Sequence, residues 1–141
     1  NGSAVWPAQN INFTNKTQFL FRISKGTLNV NDNDVNRYFP KESIRIPFDN
    51  IVYIGDSQTD IPCMKLVTSL GGQAIGVYDP KLKNKERVHS LIRDKRIKYF
   101  APADYSKNKE LEKLLKQIID YSKASFALKQ EYYKNLEESE L

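Results

Sequence analysis

The chain has 141 residues, 40% hydrophobic and 28% charged, the size and balance of one globular domain of ~100–150 residues. Its one cysteine excludes an internal disulfide framework and a cysteine-rich zinc site, and no apolar run reaches the ~20 residues of a membrane span. The net charge of +5 is local, because eight basic and two acidic residues lie between Lys81 and Lys98 while the rest carries 14 basic against 15 acidic.

Residues 4–13 read as extended, with Pro7 interrupting. Thr14 and Asn15 are candidate N-caps for a helix over Lys16–Ser24, and Gly26 is its natural stop. Residues 27–49 are polar and irregular, with a short helical turn expected near Val35–Phe39. Asn50 to Ile54 is a compact β-branched and aromatic run, the pattern of a buried strand. It ends at Gly55-Asp56-Ser57, and a helix follows from about Asp60 to Leu70 with Ile61, Met64, Val67 and Leu70 as its stripe. Pro62 is tolerated in the first turn, and Gly71-Gly72 close the helix. Gln73–Tyr78 is a second strand, the basic stretch a second crossover helix, and Ile97–Ala101 a short third strand. Beyond Tyr105 the chain is helical, with Leu111, Leu114, Leu115, Ile118 and Ile119 on its apolar face. Phe126, Tyr132, Tyr133 and Leu136 continue that face less cleanly. Glu137, Glu138 and Glu140 oppose the macrodipole and predict fraying at the end.

Alternating helices and strands predict an α/β fold, a partial doubly wound parallel sheet with a C-terminal helix. In such sheets ligands bind outside the carboxyl ends of the strands. That places attention on Gly55-Asp56-Ser57-Gln58-Thr59-Asp60, where two carboxylates lie four residues apart around a tight turn. Gly55 is expected to let the backbone turn without a Cβ clash. Asp56 projects where a magnesium ion or a phosphate-bearing substrate would sit, and carboxylate oxygens suit magnesium. Asp60 is placed to cap the helix, to hold the metal through water or to orient Asp56 and a lysine. Ser57 and Thr59 add hydroxyls. Taken alone, the pattern is also ordinary turn and N-cap chemistry.

The run Ile51-Val52-Tyr53-Ile54-Gly55-Asp56-Ser57-Gln58-Thr59-Asp60-Ile61-Pro62 resembles the fourth motif of the haloacid dehalogenase-like hydrolases, in their phosphoserine-phosphatase-like branch. Ser57 stands where many members have glycine. The runs Trp6-Pro7-Ala8, Lys16-Thr17-Gln18, Phe21-Arg22-Ile23, Lys25-Gly26 and Ala101-Pro102-Ala103-Asp104-Tyr105 extend the resemblance over most of residues 4–106. The resemblance implies a Rossmannoid core and magnesium-dependent hydrolysis of a small phosphorylated substrate through an aspartyl-phosphate. It assigns Asp56 and Asp60 to the metal, Asp56 being the direct ligand, with Gly55, Ser57 and Thr59 forming the loop. It assigns a charge-neutralising lysine to Lys16, ahead of Lys25 and then Lys41.

The resemblance also implies an Asp-x-Asp nucleophile on an earlier strand, and none is present. Asp32-Asn33-Asp34 follows no buried strand and lies in the wrong chain order, so it reads as turn chemistry. Residues 1–105 are therefore expected to be the C-terminal half of a hydrolase core, with 106–141 a helical extension. The absence of an initiator methionine fits that expectation. The missing N-terminal half becomes a required partner, and the chain alone is expected to be inactive. The expected compartment is cytoplasmic, with no membrane partner. Two other classes compete: a non-catalytic α/β binding module with an acidic metal-binding turn, and a weak nucleic-acid binder acting through the basic helix. The basic stretch reads first as a solvated helix face with Val88, Leu91 and Ile92 inward. It holds no interleaved aromatics, so nucleic acid is the less favoured partner. Cys63 reads as a buried structural cysteine, His89 as a surface or structural residue, and Trp6 and the eight tyrosines as packing. Two sequons, at Asn12 and Asn15, read as chance matches.

Overall fold

A computed structural model describes residues 2–3, 5–7, 9–82 and 85–141. Ala4 and Ala8 of the expected extended segment, and Lys83 of the basic run, lie outside the described residues. The elements in chain order are α1 (Lys16–Lys25), β1 (Val52–Gly55), α2 (Ile61–Ser69), β2 (Gln73–Tyr78), α3 (Lys85–Arg93), β3 (Tyr99–Pro102) and α4 (Glu110–Ser139). Short 3-10 turns at Asn33–Asn36, Lys41–Ser43 and Phe48–Asn50 bridge α1 to β1, and a fourth at Gln58–Asp60 leads into α2.

The three strands form one parallel sheet in the order β1-β2-β3, with Gly55 level with Gly76 and Gly76 level with Phe100. Alternation along the strands divides the core into two layers. Ile75, Val77 and Ala101 face α4, where Leu111 and Ile118 cover them and Val52 and Ile54 extend the patch. Tyr53, Ala74 and Phe100 face the other side, where Met64 of α2 and Leu91 of α3 cover them. Leu20 of α1 then packs on Cys63 and Val67 of α2 as an outer layer. The chain is therefore a parallel α/β sheet with helices on both faces. Removing the side chain of Met64 or Ile75, both fully buried, would cost about 2–5 kcal/mol.

Several expectations shift. The described part of residues 5–13 pairs with no strand, and Val5 and Trp6 lie in the open at 92% and 88% exposure, so Trp6 is not part of the core. β3 starts at Tyr99 because Ile97 turns inward, 3% exposed, into the space above Gly76. On α4, Ile119 is 60% exposed while its neighbour Ile118 is buried, since adjacent helical residues lie 100° apart and only one can face the sheet. The acidic end of α4 stays helical through Ser139, whose hydroxyl donates to the Leu136 carbonyl at 2.7 Å. The core runs across residue 105 into the first turns of α4, while the later turns project from the sheet.

Candidate functional site

The acidic turn sits where β1 hands over to α2, at the carboxyl end of the strand. Gly55 is required there, as expected, because a side chain would clash. A Cβ at that position would lie 2.7 Å from the Cβ of Asp60, whose side chain folds back over it.

Asp60 is the hub of the turn and is 6% exposed. Its Oδ1 accepts from the Lys16 ammonium at 2.8 Å and from the Tyr53 hydroxyl at 2.8 Å. Its Oδ2 accepts from the backbone N–H groups of Asp56 and Ser57, at 3.2 and 3.0 Å, and from the Ser57 hydroxyl at 2.8 Å. Burial works against the ionised form. The Lys16 ammonium and the hydrogen bonds from Ser57 and Tyr53 outweigh it and hold the carboxyl at about 2, against an ordinary 3.8. Burial, together with the Asp60 charge, pushes the Tyr53 phenol well above its ordinary range, so it remains a donor. Burial also pushes the Cys63 thiol up. Cys63 is 1% exposed and packs as a small hydrophobe.

The hydroxyl order follows from donor counting. Ser57 has one hydroxyl proton and gives it to Asp60. In the 2.7 Å contact between Ser57 and Thr59, Thr59 must therefore donate. The Thr59 oxygen in turn accepts from Lys16 at 3.1 Å. Lys16, Thr59, Ser57 and Asp60 thus close into one ring.

Asp56 differs from its neighbours. It is exposed, and its carboxylate makes no hydrogen bond or ion pair among the described residues. Magnesium takes one or two protein carboxylates and fills its remaining positions with water and substrate oxygens. Asp56 fits that demand as a direct ligand. Asp60 does not while five donors occupy its oxygens; it suits support through water or through Lys16. Among the described residues no three His, Cys, Asp or Glu side chains gather, so the turn offers a cation the Asp56 carboxylate rather than a closed cage.

Of the three candidate lysines, Lys16 reaches the turn, lying across from it at the start of α1. The Lys25 ammonium donates instead to the carbonyls of Val35 and Arg37, both at 2.7 Å, and lies over the Phe39 ring. Lys41 sits exposed on a separate 3-10 turn. Asp32 accepts the N–H of Asp34 at 2.9 Å, a turn contact remote from β1. Two buried polar contacts escaped the sequence reading, one in the turn and one outside it. The sequence reads Tyr53 as packing, although strand alternation places it on the same face as Gly55, beneath Asp60. Arg22, 4% exposed, donates to the carbonyls of Thr27, Asn29, Val30 and Asp32 and so shapes the loop after α1.

No family model matches the chain. No solved structure matches it. A curated protein from Borreliella burgdorferi, described as an uncharacterized protein, is 29% identical over 101 residues, which cover 72% of this chain and 34% of the relative. The chain thus spans about a third of the length of that relative.

Proposed function

We propose that the chain is the C-terminal part of a magnesium-dependent, haloacid dehalogenase-like phosphohydrolase acting on a small phosphomonoester. The observation that carries this reading is the division of labour in the turn: an unengaged carboxylate, Asp56, beside a neutral Lys16–Asp60 pair at the carboxyl end of a parallel strand. Asp56 would hold the metal, which when bound supplies positive charge to the phosphoryl oxygens. Lys16, anchored by Asp60, presents an ammonium that offsets negative charge developing beside the turn. Ser57 and Thr59 fix the ammonium's direction through their hydroxyls. Two further observations support the reading. β1 pairs only with β2 among the described strands, which leaves its other edge open to a strand from elsewhere. The relative is also long enough to contain a further half of such a core. The nucleophile, the substrate-selecting elements and a cytoplasmic setting belong to this proposal. No described helix is long and apolar enough to cross a membrane.

The test has two parts. Manganese, as a paramagnetic stand-in for magnesium, is titrated into the chain, and Asp56→Asn is expected to weaken its binding at least about tenfold, as loss of a metal ligand does. The longer protein containing this chain is then assayed with p-nitrophenyl phosphate and magnesium, where Asp56→Asn is expected to abolish turnover. Full activity in that variant, or no strand ending in Asp-x-Asp upstream, overturns the reading.

A further inference from the structure

We infer that the cleft between α2 and α3 binds a small organic anion, a phosphate head on a flat body, with Arg87 and Arg96 holding the head and Phe13 covering the body. The cleft has a volume of about 440 Å³. Small-ligand pockets run to roughly 300–1,000 Å³, so a nucleoside monophosphate fits its size. Its lining comes from the turn before α1, the entry to α2 and the exposed side of α3, so separate stretches of chain converge on it. Ile61 and Leu91 supply the apolar part.

Arg96 reaches the cleft through a backbone device. Lys95 has φ 55°, a left-handed conformation uncommon for a residue with a side chain. The Arg96 N–H then donates to the Leu91 carbonyl at 2.9 Å, which folds the chain back over the last turn of α3. Arg96 thereby lines the same cleft as Arg87, although the two are nine positions apart. Neither guanidinium makes an ion pair among the described residues, whereas the neighbouring Arg93 is paired with Glu86 at 2.6 Å. Asp94 lines the cleft as its one carboxylate, so the lining keeps a net positive charge. A guanidinium offers a planar fork of donors that matches phosphate oxygens, and two of them suit a dianion.

The basic stretch has no aromatic residue of its own. Phe13 supplies one from a distant part of the sequence, and it is 58% exposed at the cleft. An exposed ring beside arginines is a stacking surface for a planar group. Gln58, Ser90 and Asp94 add an amide, a hydroxyl and an acceptor for the polar edge of such a ligand. Nucleoside monophosphates and simpler aryl phosphates share this chemistry. The inference does not rest on the hydrolase reading, since Asp56 is not part of the lining.

The test titrates AMP, phenyl phosphate, ribose 5-phosphate and inorganic phosphate into the full chain by calorimetry, with EDTA present. AMP is expected to bind about tenfold or more tightly than ribose 5-phosphate, the worth of one stacked base. Arg87→Gln combined with Arg96→Gln is expected to weaken every ligand about tenfold or more, as loss of charge-assisted contacts does. Both arginines are exposed, and a circular dichroism melt checks that the variant is folded. Phe13→Ala is expected to bring AMP to the ribose 5-phosphate level and leave inorganic phosphate unchanged. Phenyl phosphate matching AMP supports an aryl ligand, and weaker binding supports a nucleoside; both retain the head and body. Unchanged AMP affinity in the double arginine variant overturns the inference, as does equal affinity for AMP and phosphate or no AMP binding by the folded chain. Loss of AMP binding in Asp56→Asn would place the ligand at the acidic turn and also overturn it, whereas failure of manganese binding alone leaves the cleft standing.

Discussion

Each strand of the sheet is followed by an aspartate, and the three are used in two ways. After β2, Asp79 accepts the N–H of Lys81 at 2.8 Å. After β3, Asp104 accepts the N–H of Ser106 at 3.0 Å, and the Ser106 hydroxyl together with that N–H holds its carboxyl below the usual range. Both acids close their own turns. After β1 that duty passes to Asp60, which accepts the N–H groups of Asp56 and Ser57 from the far end of the loop. Asp56 is thereby released from structural work. A carboxylate at a strand end is thus left unengaged where a second acid takes over the turn.

Three measurements would break or sharpen this contrast. The largest effect is expected at Asp60. Asp60→Ala strands the Tyr53 hydroxyl, two backbone N–H groups and the Lys16 charge, and should cost about 3–5 kcal/mol in urea unfolding. A loss below about 1 kcal/mol, no more than one ordinary hydrogen bond, would show that Asp60 is not the hub.

The next effect is a pH dependence. The Asp60 carboxyl is lowered from 3.8 to about 2 in the fold, so its contribution is complete above the unfolded value and disappears as pH falls through the folded one. Between about pH 4 and pH 2 the chain should lose roughly 2 kcal/mol of stability through this group, and Asp60→Asn should flatten that part of the profile. An unchanged profile in Asp60→Asn would remove the Lys16–Asp60 pair as its source.

The smallest effects separate the two kinds of strand-end acid directly. Asp79→Ala should cost about 1 kcal/mol, the worth of its turn hydrogen bond. Asp56→Ala should change stability by less than about 0.5 kcal/mol, as surface substitutions away from such contacts do. Equal costs at the two positions in parallel chemical melts would erase the distinction.

Much of the frame was legible in the sequence. The β-branched run before Gly55 and the apolar stripe of α2 gave β1 and α2 within a residue or two, because both are periodic signals set by burial. Gly26 stops α1 as expected, at φ 76°. The turn Gly55–Asp60 was legible as a place, and the position of Asp60 at the helix start already pointed to a cap or a hold on Asp56 and a lysine. What spacing does not tell is that five donors saturate Asp60 while the Asp56 carboxylate stays free. Tyr53 could have been found by following strand alternation one step back from Gly55. Arg22 could not, since nothing local announces that an arginine will satisfy four carbonyls of a later loop. The basic stretch reads as one helix face, but Lys95 adopts a backbone conformation that propensity does not predict for lysine, and that turn separates Arg96 from the face.

The ring formed by Lys16, Thr59, Ser57 and Asp60 has a mechanical consequence. Each member is held by two others, so none can change rotamer without breaking two contacts. Its hydroxyl dipoles all run the same way, from the ammonium to the carboxylate, and that sense is fixed while both ends stay charged. The turn is therefore stiff in its frame and loose at one point. The side chain of Asp56 keeps its rotamer freedom on a base that does not move with it, which is what the proposed metal role asks of it.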